Sequence, residues 1–343
     1  MCVTVAMKLP RSRKTGKPTK DAKWRLAKIR DRIYDADYKV RRYTVAEHGA
    51  SQLFLIDTET DWTEGVSVLE NGSYLSMVNS ALNNHSDKKD GKGKGSGKNE
   101  VNNKPVSSNG KVIRKALKCK HIKDAVELIK AEKFDGCTLI TDGDQLFIIE
   151  TSLSQEVADK YRDQVKDGKR FEDVVPPEEF NTEVLEIKED YLVVRTNSGV
   201  LDDSFGYQTK DGAGYRSAQK RREYAMEILD ESAYEPLDLI VSMSRMGRDD
   251  IDMNPFYRPL RLKEEVSKLK NMDVPIYTTS IIQTDPSGTM IVKPIECTFD
   301  INNSQNLISA KYKTHLVILP HRSAMFESFS GMIQKSEIEQ ILA

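Results

Sequence analysis

The chain has 343 residues, with 52 Lys+Arg against 53 Asp+Glu and a formal net charge of −1, which excludes a polycation built to wrap nucleic acid. No apolar run reaches the ~18 residues that a membrane-crossing helix needs, so no membrane partner is expected. Four cysteines are too few for a disulfide-stapled scaffold and fit a reducing compartment.

The N-terminus reads Met1-Cys2-Val3-Thr4-Val5-Ala6-Met7. It lacks the basic and long apolar regions of a secretory signal, and Pro10, Gly16 and Pro18 break any transit-peptide helix, so the expected location is the cytoplasm. Cys2 can be an ordinary residue beside the start. Its chemistry offers more: loss of Met1 would leave a thiol and a free α-amine on one residue, nucleophile and base together. Residues 3–7 alternate and predict a first strand. Residues 8–22 form a polar, basic turn region, and Trp24 to Ile29 predict a second strand. Leu53 to Ile56 is a compact apolar strand, and Ser73 to Val78 another, opened by the Asn71-Gly72 turn signal. Residues 85–111 hold almost no apolar side chains and predict a disordered low-complexity insertion. Its GKGKGSGKN fails the phosphate-loop spacing, because position 92 is Lys and Asn99 stands where Ser or Thr is needed.

Helical spacing returns from His121 to Glu132, with Ile122, Ala125, Val126 and Ile129 on one face. Thr138–Ile140 and Leu146–Ile149 flank Asp142-Gly143-Asp144 as a hairpin. Pro176-Pro177 separates a helical stretch from strands at 182–187 and 191–196. Ser217 to Ser232 predicts a second long helix. Tyr277–Thr284 and Gly288–Pro294 form a further hairpin, and Tyr312–Leu319 a late strand. Hairpins with helices grouped between them favour an α+β fold with antiparallel sheets. Length alone suggests about two ~150-residue domains, whereas this pattern is that of one domain over 1–343.

The five histidines (48, 85, 121, 315, 321) never take metal-ligand spacing, and Cys119-Lys120-His121 has no second pair to complete a site. No metal and no cofactor is expected. There is no Gly-x-Ser-x-Gly elbow. Residues 8–42 carry fourteen Lys/Arg against four Asp, enough to follow phosphates. Without an aromatic-interleaved RNA-binding pattern or zinc-finger spacing, a solvated hairpin is the better reading, and nucleic acid is not the expected partner.

Four segments combine with Cys2. They are Lys28-Ile29-Arg30-Asp31-Arg32, Gly65 to Leu82 with Asn79 near its end, Val194 to Gly199 followed by Gly206-Tyr207-Gln208, and Ser217-Ala218-Gln219-Lys220-Arg221-Arg222. In this order they resemble the N-terminal-nucleophile cysteine amidases, and most closely the choloylglycine hydrolase and penicillin V acylase family. Acyl-CoA:6-aminopenicillanate acyltransferase-like proteins are relatives of that family. Its Met-Cys start and its Arg-Asn-x-Asp element are similar to Met1-Cys2 and Lys28 to Asp31. The Thr-Asn and Ser-Ser-x-x-Arg segments are similar to Thr196-Asn197 and Ser217 to Arg221. Ile29 stands where the family has Asn, and the Asn-Glu pair expected after Gly65 is missing.

The resemblance implies an αββα four-layer sandwich with two stacked antiparallel sheets. It also implies roles. Cys2 is the nucleophile and its own amine the base; Asp31 orients that amine. Asn197 and the backbone N–H of Asn79 stabilise the oxyanion. Arg221 supplies positive charge, with Arg222 as its near alternative. Lys28 or Arg30 supports the thiolate, both falling on one strand face. Singly, Asn197 can cap a turn and Arg221 can be a surface charge. The implied reaction is hydrolysis of a linear, non-peptide or peptide-like C–N amide through an acyl-enzyme, on a small-molecule substrate. Acyl transfer by the same nucleophile, or a non-catalytic binding or assembly protein with a basic surface, are the alternatives. Relatives often oligomerise, so a homo-oligomer is compatible.

Overall fold

The computed structural model describes residues 2–32, 38–47, 49–57, 60–69, 71–82, 108–133, 136–165, 174–201, 213–244, 278–285, 288–299, 307–318 and 329–331. In chain order the strands are β1 (Cys2–Arg11), β2 (Pro18–Arg32), β3 (Tyr38–Val45), β4 (Ala50–Asp57), β5 (Thr63–Val68), β6 (Tyr74–Ser80), β7 (Gly136–Thr141), β8 (Leu146–Ser152), β9 (Asn181–Ile187), β10 (Leu192–Arg195), β11 (Thr278–Asp285), β12 (Gly288–Phe299), β13 (Leu307–Ile318) and β14 (Phe329–Gly331). The helices are α1 (Ser108–Ala116), α2 (Ile122–Glu132), α3 (Gln155–Tyr161), α4 (Ala213–Ser232) and α5 (Asp238–Ser244).

Among the described residues the strands make two antiparallel seven-stranded sheets. The first runs β10-β1-β2-β11-β12-β13-β14 and the second β3-β4-β5-β6-β7-β8-β9. The basic segment after residue 7 is less of a turn than its composition predicts. Strand alternation carries β1 to Arg11 and starts β2 at Pro18, so the reversal itself is confined to residues 12–17. Gly16, at φ 70°, donates its N–H to the Ser12 carbonyl there, a conformation that costs glycine least.

Alternation sorts each strand's side chains between two faces. On β1, Val3, Val5, Met7 and Leu9 pack with Ala225 and Leu229 of α4 and with Leu239, Val241 and Met243 of α5. The opposite face meets the second sheet: Ala6, Trp24, Leu26 and Val193 pack against Val78, Leu139, Leu146 and Ile148. The far face of the second sheet, with Phe54, Met77, Ile140 and Ile149, is covered by Val112, Ile113 and Leu117 after α1 begins, and by Ile122, Val126 and Ile129 of α2.

The segments read as strands 182–187 and 191–196 do not pair with each other. β9 is an edge strand of the second sheet, with alternate residues exposed, whereas β10, an edge strand of the first sheet, is buried throughout and pairs β1. Their polarity differs with their cover: Val184-Leu185-Glu186 alternates toward solvent, whereas Leu192-Val193-Val194 is apolar throughout and lies against α4. The low-complexity segment also ends earlier than composition predicts. Residues 108–111 open α1, because Val112, Ile113, Ala116 and Leu117 give it a buried face that offsets the ordering entropy; residues 85–107 lie outside the described residues. Among the described residues no helix is long and apolar enough to cross a membrane.

Candidate functional site around Cys2

Cys2 opens β1 and is 6 % exposed. Its ladder partner on β2 is Arg30, and Thr4 two residues on lies opposite both Lys28 and Arg195. Directly opposed residues share a face. Cys2, Thr4, Lys28, Arg30 and Arg195 therefore all lie on the face of the first sheet that meets the second. The second sheet answers with acids. Lys28 pairs with Glu64 of β5, both side chains fully buried. Arg30 meets Asp57 at the end of β4 at 2.7 Å, again with both side chains fully buried, and donates to the Thr60 hydroxyl at 3.0 Å. Arg195 lies 3.7 Å from Glu150 of β8. Trp62 forms one wall, with the Lys28 ammonium 5.0 Å and the Arg30 guanidinium 5.7 Å from its ring centre, within cation–π reach.

Burial is the largest influence on Lys28 and pushes its pKa down. The charge of Glu64 opposes this, as does that of an ionised Cys2, while Arg30 adds to the lowering. A cation that responds to the thiol's charge is one that favours a thiolate in return. Lys28 and Arg30 thus both face Cys2, Arg30 directly across the ladder and Lys28 one step along it.

Three more predicted residues are placed by distant parts of the chain. The residue-2 N–H donates to Asn197 Oδ1 at 2.7 Å. Asn197 in turn donates its amide to the Ala81 carbonyl at 2.7 Å, which fixes it between the end of β6 and the start of β1. Asn79 lies two residues before Ala81, opposite Thr138 of β7, and its side-chain amide donates to the Thr63 carbonyl at 2.9 Å. Arg221 is 1 % exposed and donates through Nη1 to the Cys2 carbonyl at 3.3 Å. It is buried because it shares a helical face with Ala218, Ala225 and Leu229, all buried, at four- and three-residue spacing. The other end of α4 is tied to the far end of β1. Arg11 donates to the Asp230 and Ala233 carbonyls at 2.9 and 3.1 Å and lies over Tyr191 and Tyr234. One helix is thereby held at both ends of the strand that carries Cys2.

Asp31 lies in β2 opposite Thr279 of β11; its side chain lies outside the described residues, as do Tyr207 and Gln208. Asp57, Trp62, Glu64 and Glu150 were not among the residues read from the sequence, and Arg195 was read only as part of the Val194 to Gly199 segment, without a role. Asp57, Glu150 and Arg195 share a signal, a charge closing an apolar run: Leu53-Phe54-Leu55-Ile56-Asp57, Leu146-Phe147-Ile148-Ile149-Glu150, and Leu192-Val193-Val194-Arg195; Trp62 and Glu64 carry no such signal.

Other features of the described residues lie apart from Cys2. A cavity of about 420 Å³ is lined by Ser67, Tyr74, Cys119, Lys120 and His121 among others, and by none of the residues gathered at Cys2. No group of three His, Cys, Asp or Glu placed to hold a metal occurs among the described residues. Comparison of the chain with protein-family models and with curated proteins gave no match.

Proposed function

We propose that the chain is an amide hydrolase that uses Cys2 as an N-terminal nucleophile within an αββα sandwich. The observation that carries this reading is the bond between the residue-2 nitrogen and Asn197 Oδ1, closed across 195 residues of sequence. Arg221 on the Cys2 carbonyl and the Lys28 and Arg30 cations on the Cys2 face support it. Helices on the outer face of each sheet support the layering.

In this reading, removal of Met1 turns the residue-2 nitrogen into an α-amine. The amine takes the thiol proton, and Cys2 Sγ attacks the amide carbonyl. A C–S bond forms and the carbonyl oxygen becomes an oxyanion. Asn197 has two amide hydrogens; the one not given to Ala81 would donate to this oxyanion, together with the Asn79 backbone N–H. Loss of one such donor raises the barrier by ~3–4 kcal/mol. The C–N bond then breaks, the leaving amine takes the proton, and water hydrolyses the thioester to free the acid and restore the thiol. Lys28 and Arg221 supply positive charge beside the sulfur, and Asp31 orients the amine.

Intact-mass measurement followed by alkylation with iodoacetamide tests the proposal. The expected result is a chain lacking Met1 whose first alkylated cysteine is Cys2, ahead of Cys119, Cys137 and Cys297. Retention of Met1, or a Cys2 that reacts after the other three, would remove the nucleophile and with it the proposed activity.

A further inference from the structure

We propose that Glu150 is a positioning residue that holds Asn197 against the residue-2 nitrogen by gripping the backbone that follows it; this rests on the amidase reading above. Glu150 ends the apolar run of β8, in the inter-sheet space, with its side chain fully buried. Its Oε2 accepts two backbone N–H bonds, from Val200 at 2.9 Å and from Leu201 at 2.8 Å. Asn197 lies three residues before Val200. At its other side the segment is fixed by Arg195, which pairs with Thr4 in the β1–β10 ladder. Thr196 adds a bond from its hydroxyl to the Ala218 carbonyl of α4 at 3.3 Å. The stretch 195–201 is therefore held in front by β1 and α4 and behind by one carboxylate oxygen from the other sheet. Asn197 sits inside this stretch, two residues past the end of β10, so no ladder partner fixes it.

Removing that acceptor leaves two partly buried backbone donors without a partner, and they would turn toward water and carry the segment with them. Asn197 would then leave the position from which it meets residue 2. Three groups face Glu150 besides these amides: Arg195 and Arg222 by their charge, and the Cys137 thiol, whose ladder position is directly opposite. The rival role for Glu150 is to neutralise Arg195. Glu150→Gln separates the two roles, because the glutamine oxygen still accepts both N–H bonds and carries no charge.

The test uses the Met1-processed chain and two reagents. p-Nitrophenyl acetate acylates Cys2: the C–S bond forms through an oxyanion, the C–O bond breaks and p-nitrophenolate leaves. Iodoacetamide alkylates the same sulfur by displacement of iodide, with no oxyanion. Geometry-dependent steps lose up to about 100-fold on a 1 Å misplacement, so Glu150→Ala, like Asn197→Ala, should slow acylation by about that factor while alkylation of Cys2 stays within about threefold. Glu150→Gln should recover most of the acylation rate lost in Glu150→Ala. The proposal is overturned if Glu150→Ala acylates as the unsubstituted chain does, if both reactions fall together, or if Glu150→Gln fails as Glu150→Ala does. If the unsubstituted chain forms no acetyl-Cys2, the amidase reading falls first and this inference with it, before any substitution is made.

Discussion

The space between the two sheets has two ends, which share β1, β2, β10 and β8, and they differ in kind. At one end Ala6, Trp24, Leu26 and Val193 meet Val78, Leu139, Leu146 and Ile148 in an apolar cluster, with the Lys8 ammonium over the Trp24 ring at its margin. At the other, Thr4, Lys28, Arg30 and Arg195 of the first sheet lie opposite Glu64, Asp57 and Glu150; of these, Thr4, Lys28, Arg195 and Glu150 each stand two residues along from Ala6, Leu26, Val193 and Ile148. The first end is what the hydrophobic effect builds when stability is the only demand. The second is not, since well-packed apolar residues in place of a buried ion pair are often as stable or more so. In these three pairs the cations come from the first sheet and the acids from the second. The charged end is also where β1 begins, and therefore where Cys2 lies. Charge that adds little to stability, gathered around one sulfur, is what a site for ionic chemistry requires.

The contrast can be broken by substitution at each end. The largest effect is expected at the charged end, where Lys28→Met leaves Glu64 buried without its cation and should cost about 3–5 kcal/mol in urea unfolding. Lys28→Met with Glu64→Leu should recover most of that loss; if the two costs simply add, the pair is not what opposes them. At the apolar end Leu26→Ala should cost about 3 kcal/mol by the lost burial and the cavity left behind. Adding Val78→Ala there should deepen the loss, with no recovery.

A smaller effect sharpens how the acids are held. The loop before Glu64 is buttressed by α1: Arg114 bonds Asp61 at 2.6 and 3.0 Å and the Thr63 hydroxyl at 2.6 Å. A methyl group at Gly110 would lie 1.9 Å from the Asp61 carbonyl oxygen. Gly110→Ala should therefore destabilise by about 1–3 kcal/mol through overpacking, although alanine is the better helix former. A higher Tm in thermal unfolding would show that α1 does not press on this loop.

The smallest effect concerns Cys137. Burial first, and the charge of Glu150 second, push its thiol well above the ordinary 9.0, with Arg195 opposing. The neutral thiol does not react, so native alkylation of Cys137 should stay negligible from about pH 7 to 9, where an exposed thiol gains thiolate steadily. Labelling of Cys137 that rises over this range as fast as that of the half-buried Cys119 would contradict its placement.

Much of the architecture was legible in the sequence because it rests on local periodicity. The α2 face of Ile122, Ala125, Val126 and Ile129 and the hairpin around Gly143 could be read directly. What periodicity does not encode is which strands share a sheet, and so 182–187 and 191–196 could be read as strands with no sign that they belong to different sheets. Tyr38–Val45 passed unread as a strand because a run of charge, Lys39-Val40-Arg41-Arg42, interrupts its pattern; an edge position tolerates this. At the site, Cys2, Asn197 and Arg221 could be named from the order of short segments. Glu64, Asp57 and Glu150 could not, because Asp57 and Glu150 look like the polar ends of apolar strands, and Glu64 carries no signal, until the opposing sheet supplies Lys28, Arg30 and Arg195.

The central claim is that a sulfur at the start of β1 attacks an amide carbonyl. Incubation of the Met1-processed chain with phenylacetyl p-nitroanilide, acid quench and peptide mass mapping tests it most directly. The expected result is a phenylacetyl thioester on Cys2, with p-nitroaniline released alongside it, and neither in Cys2→Ala, which keeps Cys119, Cys137 and Cys297. Release of p-nitroaniline by Cys2→Ala at the unsubstituted rate, or an adduct on one of the other cysteines, would contradict it.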